Sequence, residues 1–402
     1  MTATKHLPGL DLLRAVAILL VLTYHISVFF HHPAALPAWA SFGWTGVDLF
    51  FVLSGYLISS QLLAARELGR IDLTAYFLKR GFRILPAYWL MVAVYFLFPS
   101  WSEIPSPAPL WKFLSFTQNL GLDTARHRGF SHAWSLCIEE QFYFALPLLL
   151  VVAKRRLKLP FWVGSVVALM LAGLVVRWLS WVALVQPHLG LDSGNVANGF
   201  QAWSKWIYYP TPCRLDGLLT GVLIAGVFHW RPDFRTWTDR HPGLFLLAGA
   251  SLLGLGWKLG TPMTRFSCAI AGYPILSYAY GAFLISALSP SFGRSVLLGP
   301  TIKWGATLSY AVYLSHKVAG HLLQAWLIRL GLTSDGWPMF VGLVAGCFLA
   351  GLGIHLVIER PSQWLRDLLL RRRLGPSNPL VEPVAPGLTL RQFRRALGGR
   401  IV

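Results

Sequence analysis

Charge is what this sequence has least of. Only 13% of its 402 residues are Asp, Glu, Lys or Arg, where a soluble domain carries about a quarter. That shortage excludes a chain with a large wetted surface. Cysteine is scarce as well. Cys137, Cys213, Cys268 and Cys347 stand singly in or beside apolar runs, so the paired spacing of a zinc or dithiol motif is missing and small core residues are expected rather than disulfides. No metal site is expected. Acids number 16 against 35 Lys and Arg, a net charge of +19. A nucleic-acid binder gathers such charge on a wettable face or groove. Here it gathers between apolar runs, so no nucleic-acid partner is expected. A cleavable signal peptide is not expected either: Tyr24 and His25 stand where small cleavage-site residues would follow the first apolar run.

What is abundant is apolar surface: 55% hydrophobic residues and a mean hydropathy of +0.55. A helix needs about 20 apolar residues to cross the hydrocarbon core. Such runs lie near 12–30, 46–64, 84–100, 134–153, 161–185, 213–229, 242–257, 266–288, 305–328 and 338–358. The expected fold is therefore all-α and polytopic, with about ten transmembrane helices. Loop charge orients it. With the N-terminus in the cytoplasm, 24 Lys and Arg fall on the inner side and six on the outer (Lys112, Arg126, Arg128, Lys205, Lys258 and Arg265), which predicts cytoplasmic N- and C-termini. Residues 1–360 form the expected transmembrane domain. Residues 361–402, basic and Pro-containing, form a cytoplasmic tail suited to anionic lipid. Outer loops near 101–133 and 186–212 are rich in Trp, Pro and Gly.

Ionisable groups at membrane depth are costly, so each is a functional candidate. Arg14 and His25 are 11 residues apart, three helical turns, so they share one face with a rise of roughly 16 Å. Asp48, near the outer end of the second span, needs a partner: His25 at similar depth, whose tautomer it would fix, or Arg214. Glu139 and Glu140, with His132 and Trp134, cluster at the outer end of the fourth span. Adjacent helical residues point about 100° apart, so one glutamate is expected to face the site and the other a neighbouring helix. Arg214 and Asp216 read as an internal ion pair or as an acceptor-binding pair. Lys79, Arg80 and Arg83 precede the third span, and Arg80 and Arg83, one turn apart, would hold phosphates with Arg14. Ser309, Tyr310, Tyr313 and His316 stack at three- and four-residue spacings on the ninth span.

Taken in order, these segments resemble the acyltransferase-3 family of bacterial membrane O-acyltransferases. The resemblance runs through residues 10–360: Arg14 and His25, then GVDLFFVLSGYLI, Arg80 and Arg83, HAWSLCIEEQFY, Arg214 with Asp216, SYAVYLSH and the closing IERP. It implies a protein of the bacterial inner membrane. Its activity would be transfer of an acyl group, most commonly acetyl, from acyl-CoA to a hydroxyl of a carbohydrate or glycosylated small molecule, with no permanently bound cofactor. The resemblance carries over His25 and the Glu139–Glu140 doublet, and with Asp48, taken from the reading of buried carboxylates, they make up the expected catalytic set. The implied acyl-CoA set is Arg14, Arg80 and Arg83, and Arg214, Asp216, Trp134, Tyr313 and His316 serve the acceptor or the structure. His25 is the expected general base, oriented by Asp48 or by a glutamate of the fourth span. The competing reading is a transporter or flippase, because ten spans with buried charge also suit a solute path. No pair of Gly/Pro-broken helices recurs in matching halves to support it.

Overall fold

The structure, a computed structural model, describes residues 8–29, 38–69, 71–102, 104, 106–153, 157–189, 193–291, 299–334 and 336–374. Among them there is no strand. The helices are α1 (Pro8–Phe29), α2 (Gly46–Glu67), α3 (Leu73–Leu97), α4 (Leu110–Leu114), α5 (Trp134–Val152), α6 (Leu159–Ser180), α7 (Ser193–Trp203), α8 (Asp216–Trp230), α9 (Pro232–Arg240), α10 (Pro242–Gly260), α11 (Tyr273–Leu288), α12 (Pro300–Arg329), α13 (Trp337–Ile354) and α14 (Arg360–Leu374). Each of the ten apolar runs falls in a helix. Seven helical stretches are long and apolar enough to cross a membrane, and the chain is a multi-pass membrane protein. The segment from residue 375 onward, most of the expected tail, lies outside the described residues. All four cysteines are buried free thiols.

One boundary differs from the sequence reading in a way that matters. The third helix begins at Leu73, not near 84, so Lys79, Arg80 and Arg83 lie inside it. Their charges dilute the hydropathy of its first three turns. The start is marked by Asp72, whose carboxylate accepts from the Ala75 N–H at 2.9 Å, an ordinary N-cap.

The bundle is organised around α2, which packs on α1, α8 and α11, while α12 lies between α1 and α13. The α2–α8 contact is a backbone contact. A Cβ on Gly55 of α2 would lie 2.1 Å from the Leu218 carbonyl oxygen, and one on Gly221 of α8 would lie 2.3 Å from that of Val52. Small residues let helices approach this closely in a bilayer.

Two prolines sit inside long helices, α3 and α5, and each frees a carbonyl four residues earlier. Pro86 of α3 leaves Phe82, whose oxygen accepts from the Ser362 hydroxyl of α14 at 2.7 Å. Pro147 of α5 leaves Tyr143, whose oxygen accepts from the Tyr76 hydroxyl of α3 at 3.1 Å. No water is at hand in hydrocarbon, so another helix satisfies each group.

Both features can be tested by thermal melting of the detergent-purified protein. Gly221→Ala should lower stability by about 1–3 kcal/mol through overpacking. Gly254→Ala, where a Cβ meets nothing within 4 Å, should leave it unchanged or raise it by up to about 1 kcal/mol. Equal melting of the two variants would contradict the backbone contact. Separately, Tyr76→Phe should cost about 1–3 kcal/mol by orphaning a buried carbonyl. Tyr278→Phe, at an exposed position, serves as the comparison and should melt with the wild type.

Candidate functional site

The polar residues of the bundle gather around two cavities. The first, about 170 Å³, is lined by Arg14 of α1, Ser54 of α2, Arg80 and Arg83 of α3, and Glu139 and Glu140 of α5. None of the three guanidiniums has a carboxylate within 4.0 Å among the described residues. Arg80 lies over the Tyr143 ring at 4.9 Å, and the Ser54 hydroxyl donates to Glu139 Oε1 at 2.6 Å.

The second cavity, about 500 Å³, holds His25, His132 and Lys317 among aromatic walls that include Trp44, Trp134 and Tyr208. Arg14 and His25 thus open into separate spaces from one face of α1, as their three-turn spacing requires. Val47 and Tyr313 line both cavities, so Tyr313 stands as a septum between them. Its hydroxyl donates to the His132 carbonyl at 2.7 Å, so its 2.6 Å contact with Ser135 must be a bond donated by Ser135.

His25 sits in an imidazole cluster. Its ring centroid is 4.6 Å from that of His316 and 6.4 Å from that of His132, and the latter two are 4.8 Å apart. His25 Nδ1 is 2.8 Å from the Val21 carbonyl. A carbonyl only accepts, so Nδ1 carries the hydrogen, and in the neutral ring Nε2 is the acceptor nitrogen. His316 Nδ1 donates to the Tyr313 carbonyl at 2.7 Å, and His132 Nε2 donates to that of Leu314 at 3.2 Å. Both rings are thereby pinned to one turn of α12. His316 Nε2 and His132 Nδ1 are buried without a hydrogen-bond partner.

Several sequence expectations need correction. Asp48 takes Arg214 as its partner at 2.9 Å and lines neither cavity; the group that orients His25 is the Val21 carbonyl. Arg214 and Asp216 do not pair with each other. Arg214 precedes α8 in non-helical backbone, and Asp216, the first residue of α8, accepts twice from Arg177 of α6, at 2.5 and 3.1 Å. Glu139 and Glu140 lie about 8 Å along the axis of α5 from Trp134, its first residue, rather than at its end, and both line the arginine cavity. That cavity is wide enough to take both directions 100° apart.

Arg214 has a different task. It is 1% exposed, and its guanidinium carbon lies 4.0 Å from the centre of the Tyr273 ring, 4.9 Å from Tyr208, 5.4 Å from Trp134 and 5.9 Å from Trp44. The last three rings wall the histidine cavity, so Arg214 holds that wall from behind by cation–π attraction. His132, Lys317 and Glu359 were not assigned a role from sequence. His132 was visible in HAWSL. Lys317 lies in the middle of the apolar run 305–328 and is 6% exposed. Glu359 is 4% exposed and accepts from His355 at 2.6 Å.

The loops near 101–133 and 186–212, both of which contribute to the lining of the histidine cavity, are braced together. Gln141 of α5 donates to the Phe116 carbonyl at 2.7 Å and to Asn119 at 3.1 Å, while Asn119 donates to the Tyr209 carbonyl at 3.1 Å. Such an arrangement puts a cationic chamber and a base-bearing aromatic chamber on either side of one tyrosine.

The chain was then compared with known proteins. Over 388 residues it is 29% identical to a candidate peptidoglycan O-acetyltransferase of Bacillus subtilis, covering 89% of this chain and 55% of that protein. Over 341 residues it is 26% identical to the peptidoglycan O-acetyltransferase of Listeria monocytogenes, covering 78% and 49%. Candidate O-acetyltransferases of Staphylococcus aureus are 32% identical over 254 residues, covering 58% and 36%. The chain spans about half the length of the first two of these curated relatives. No solved structure matches it. The acyltransferase-3 profile, described as an acyltransferase domain, matches residues 7–356, nearly the whole of the described bundle, and the chain belongs to that family.

Proposed function

We propose that this protein is a bacterial inner-membrane O-acetyltransferase that takes acetyl from acetyl-CoA in the cytoplasm and gives it to a hydroxyl of a surface glycan of the peptidoglycan kind. The observation that carries this reading is the pair of cavities meeting at Tyr313, with three guanidiniums in one and His25 in the other. In this reading ten helices cross the membrane with both termini cytoplasmic, as the charge bias requires. The arginine cavity then faces the cytoplasm and the histidine cavity faces outward.

Arg14, Arg80 and Arg83 hold the CoA phosphates, which a planar guanidinium fork binds in pairs of hydrogen bonds. The pantetheine arm runs along α1 toward Tyr313, a distance comparable to the roughly 16 Å rise between Arg14 and His25. The acceptor sugar lies against the aromatic walls of the outer cavity. Its hydroxyl gives its proton to His25 Nε2 as its oxygen bonds to the thioester carbonyl carbon. The tetrahedral adduct then expels CoA as thiolate, and the imidazolium returns the proton to that sulfur. Asp48 serves by holding Arg214, and through it the aromatic wall. Glu139 and Glu140 limit the net charge of the donor cavity. The relatives' printed names support acetyl as the group and peptidoglycan as the acceptor class. Membership of an acyltransferase family weighs against the transporter reading.

Two outcomes follow for purified protein supplied with acetyl-CoA and a soluble glycan fragment. His25→Ala should lower kcat by about 10²- to 10⁴-fold, the usual loss of a general base, with little change in the affinity for CoA; a kcat within a factor of three of wild type would remove His25 from the mechanism. Arg80→Ala and Arg83→Ala should each raise KM for acetyl-CoA by about 10- to 100-fold, as expected for loss of a charge-assisted hydrogen bond. An unchanged KM with reduced kcat would move the donor site elsewhere.

A further inference from the structure

We infer that Val47 sets the length of the acyl group this enzyme accepts, admitting acetyl and rejecting longer chains for want of room. This rests on the donor cavity and the direction of transfer proposed above. Among the described residues, Val47 of α2 and Tyr313 of α12 are the two that line both cavities. In the proposed reaction the thioester reaches Tyr313 from the arginine cavity, and the acceptor oxygen meets its carbonyl carbon from the histidine cavity. The acyl group must therefore stand at the boundary that these two side chains frame, and its free end must find space there.

Both sides of that boundary are held in place. The buried Tyr313 hydroxyl donates to the His132 carbonyl at 2.7 Å and accepts from Ser135 at 2.6 Å, so a swing of the ring would break two bonds and orphan a buried carbonyl. The Phe50 ring of α2 stands edge-on to Tyr313, with centroids 6.4 Å apart. Val47 lies one turn before Phe50 on the same face of α2 and is buried. As a β-branched residue in a helix it keeps one strongly preferred rotamer and does not fold away. Its backbone is gripped from two directions. A Cβ on Gly46 would lie 2.5 Å from the Ala17 carbonyl oxygen of α1, and one on Gly217 of α8 would lie 3.0 Å from that of Asp48. Residues 46–48 are thus wedged between α1 and α8. The neighbouring walls of the donor cavity, Phe50, Phe51 and Leu53, are apolar, so a hydrocarbon chain meets no polar group that would repel it. Size is what remains to discriminate, and a close-packed boundary discriminates by volume. One methylene more or less in an apolar pocket changes selectivity by about 10- to 200-fold.

The test is calorimetric binding of CoA, acetyl-CoA and butyryl-CoA to the purified full chain, with no acceptor present. Wild type should bind acetyl-CoA about tenfold or more tightly than butyryl-CoA. Val47→Ala should bring the two thioesters within about threefold of each other. Val47→Ile, which narrows the boundary, should weaken acetyl-CoA by about fivefold or more. CoA carries no acyl group, so its affinity should stay within about twofold of wild type in both variants, which shows a folded donor cavity and puts the change at the acyl end. Equal affinity of wild type for the two thioesters overturns the inference, as does a butyryl penalty undiminished in Val47→Ala; in either case normal CoA binding leaves the donor reading standing. CoA affinity unaffected by Arg80→Ala and Arg83→Ala overturns the donor reading instead, and this inference falls with it.

Discussion

The contact on which the rest depends is the one between α2 and α8. Gly55 and Gly221 bring the two backbones together, and that closeness sets Asp48 against Arg214 in a fully buried ion pair. Removing one member of such a pair leaves a charge stranded in low dielectric, which costs more than the pair itself contributes. The arrangement therefore tolerates little drift. Arg214 transmits it outward through the four rings stacked around its guanidinium. Asp216, the first residue of α8 and two positions after Arg214, is tied to Arg177 and fixes α6 beside α8. An aromatic wall in the histidine cavity is thus held by electrostatics deep in the bundle.

Around that frame, α12 divides the interior. Tyr313 is fixed by His132 and Ser135 and lines both cavities, while the carbonyls of residues 313 and 314 pin His316 and His132. One helical turn therefore positions both the septum and the imidazoles around His25. For the proposed reaction, which joins a cytoplasmic donor to an acceptor outside the membrane, such a divider would keep ions and water from leaking through an open passage. Proline contributes as well: the carbonyls freed by Pro86 and Pro147 are taken up by Ser362 and Tyr76, which ties α3 to α14 and α5 around the arginine cavity.

Much of this was legible in sequence, because bilayer thickness and helical periodicity leave few options. The apolar runs gave the helices, and the 11-residue spacing placed Arg14 and His25 on one interior face. Partner choice was not legible. Asp48 had two candidates at similar depth, and only the packing of α8 on α2 decides for Arg214. Arg214 and Asp216 invited pairing by proximity in sequence, yet the start of α8 turns them apart. Glu139 and Glu140 share one motif with His132 and Trp134, yet they line the other cavity, because about two helical turns separate the two ends of the motif. Lys317 was overlooked for a related reason: one step along a helix separates a lipid-facing edge from a cavity wall, and hydropathy averages over both. Arg80 and Arg83 were placed before their helix because charge masks an apolar run, although Asp72 marked its start.

A structure of the protein with CoA bound tests the central claim most directly. The predicted result has the nucleotide phosphates within salt-bridge distance of Arg14, Arg80 and Arg83, and the sulfur at the level of Tyr313, next to His25. CoA bound with those three guanidiniums vacant, or with its nucleotide in the histidine cavity, would contradict it.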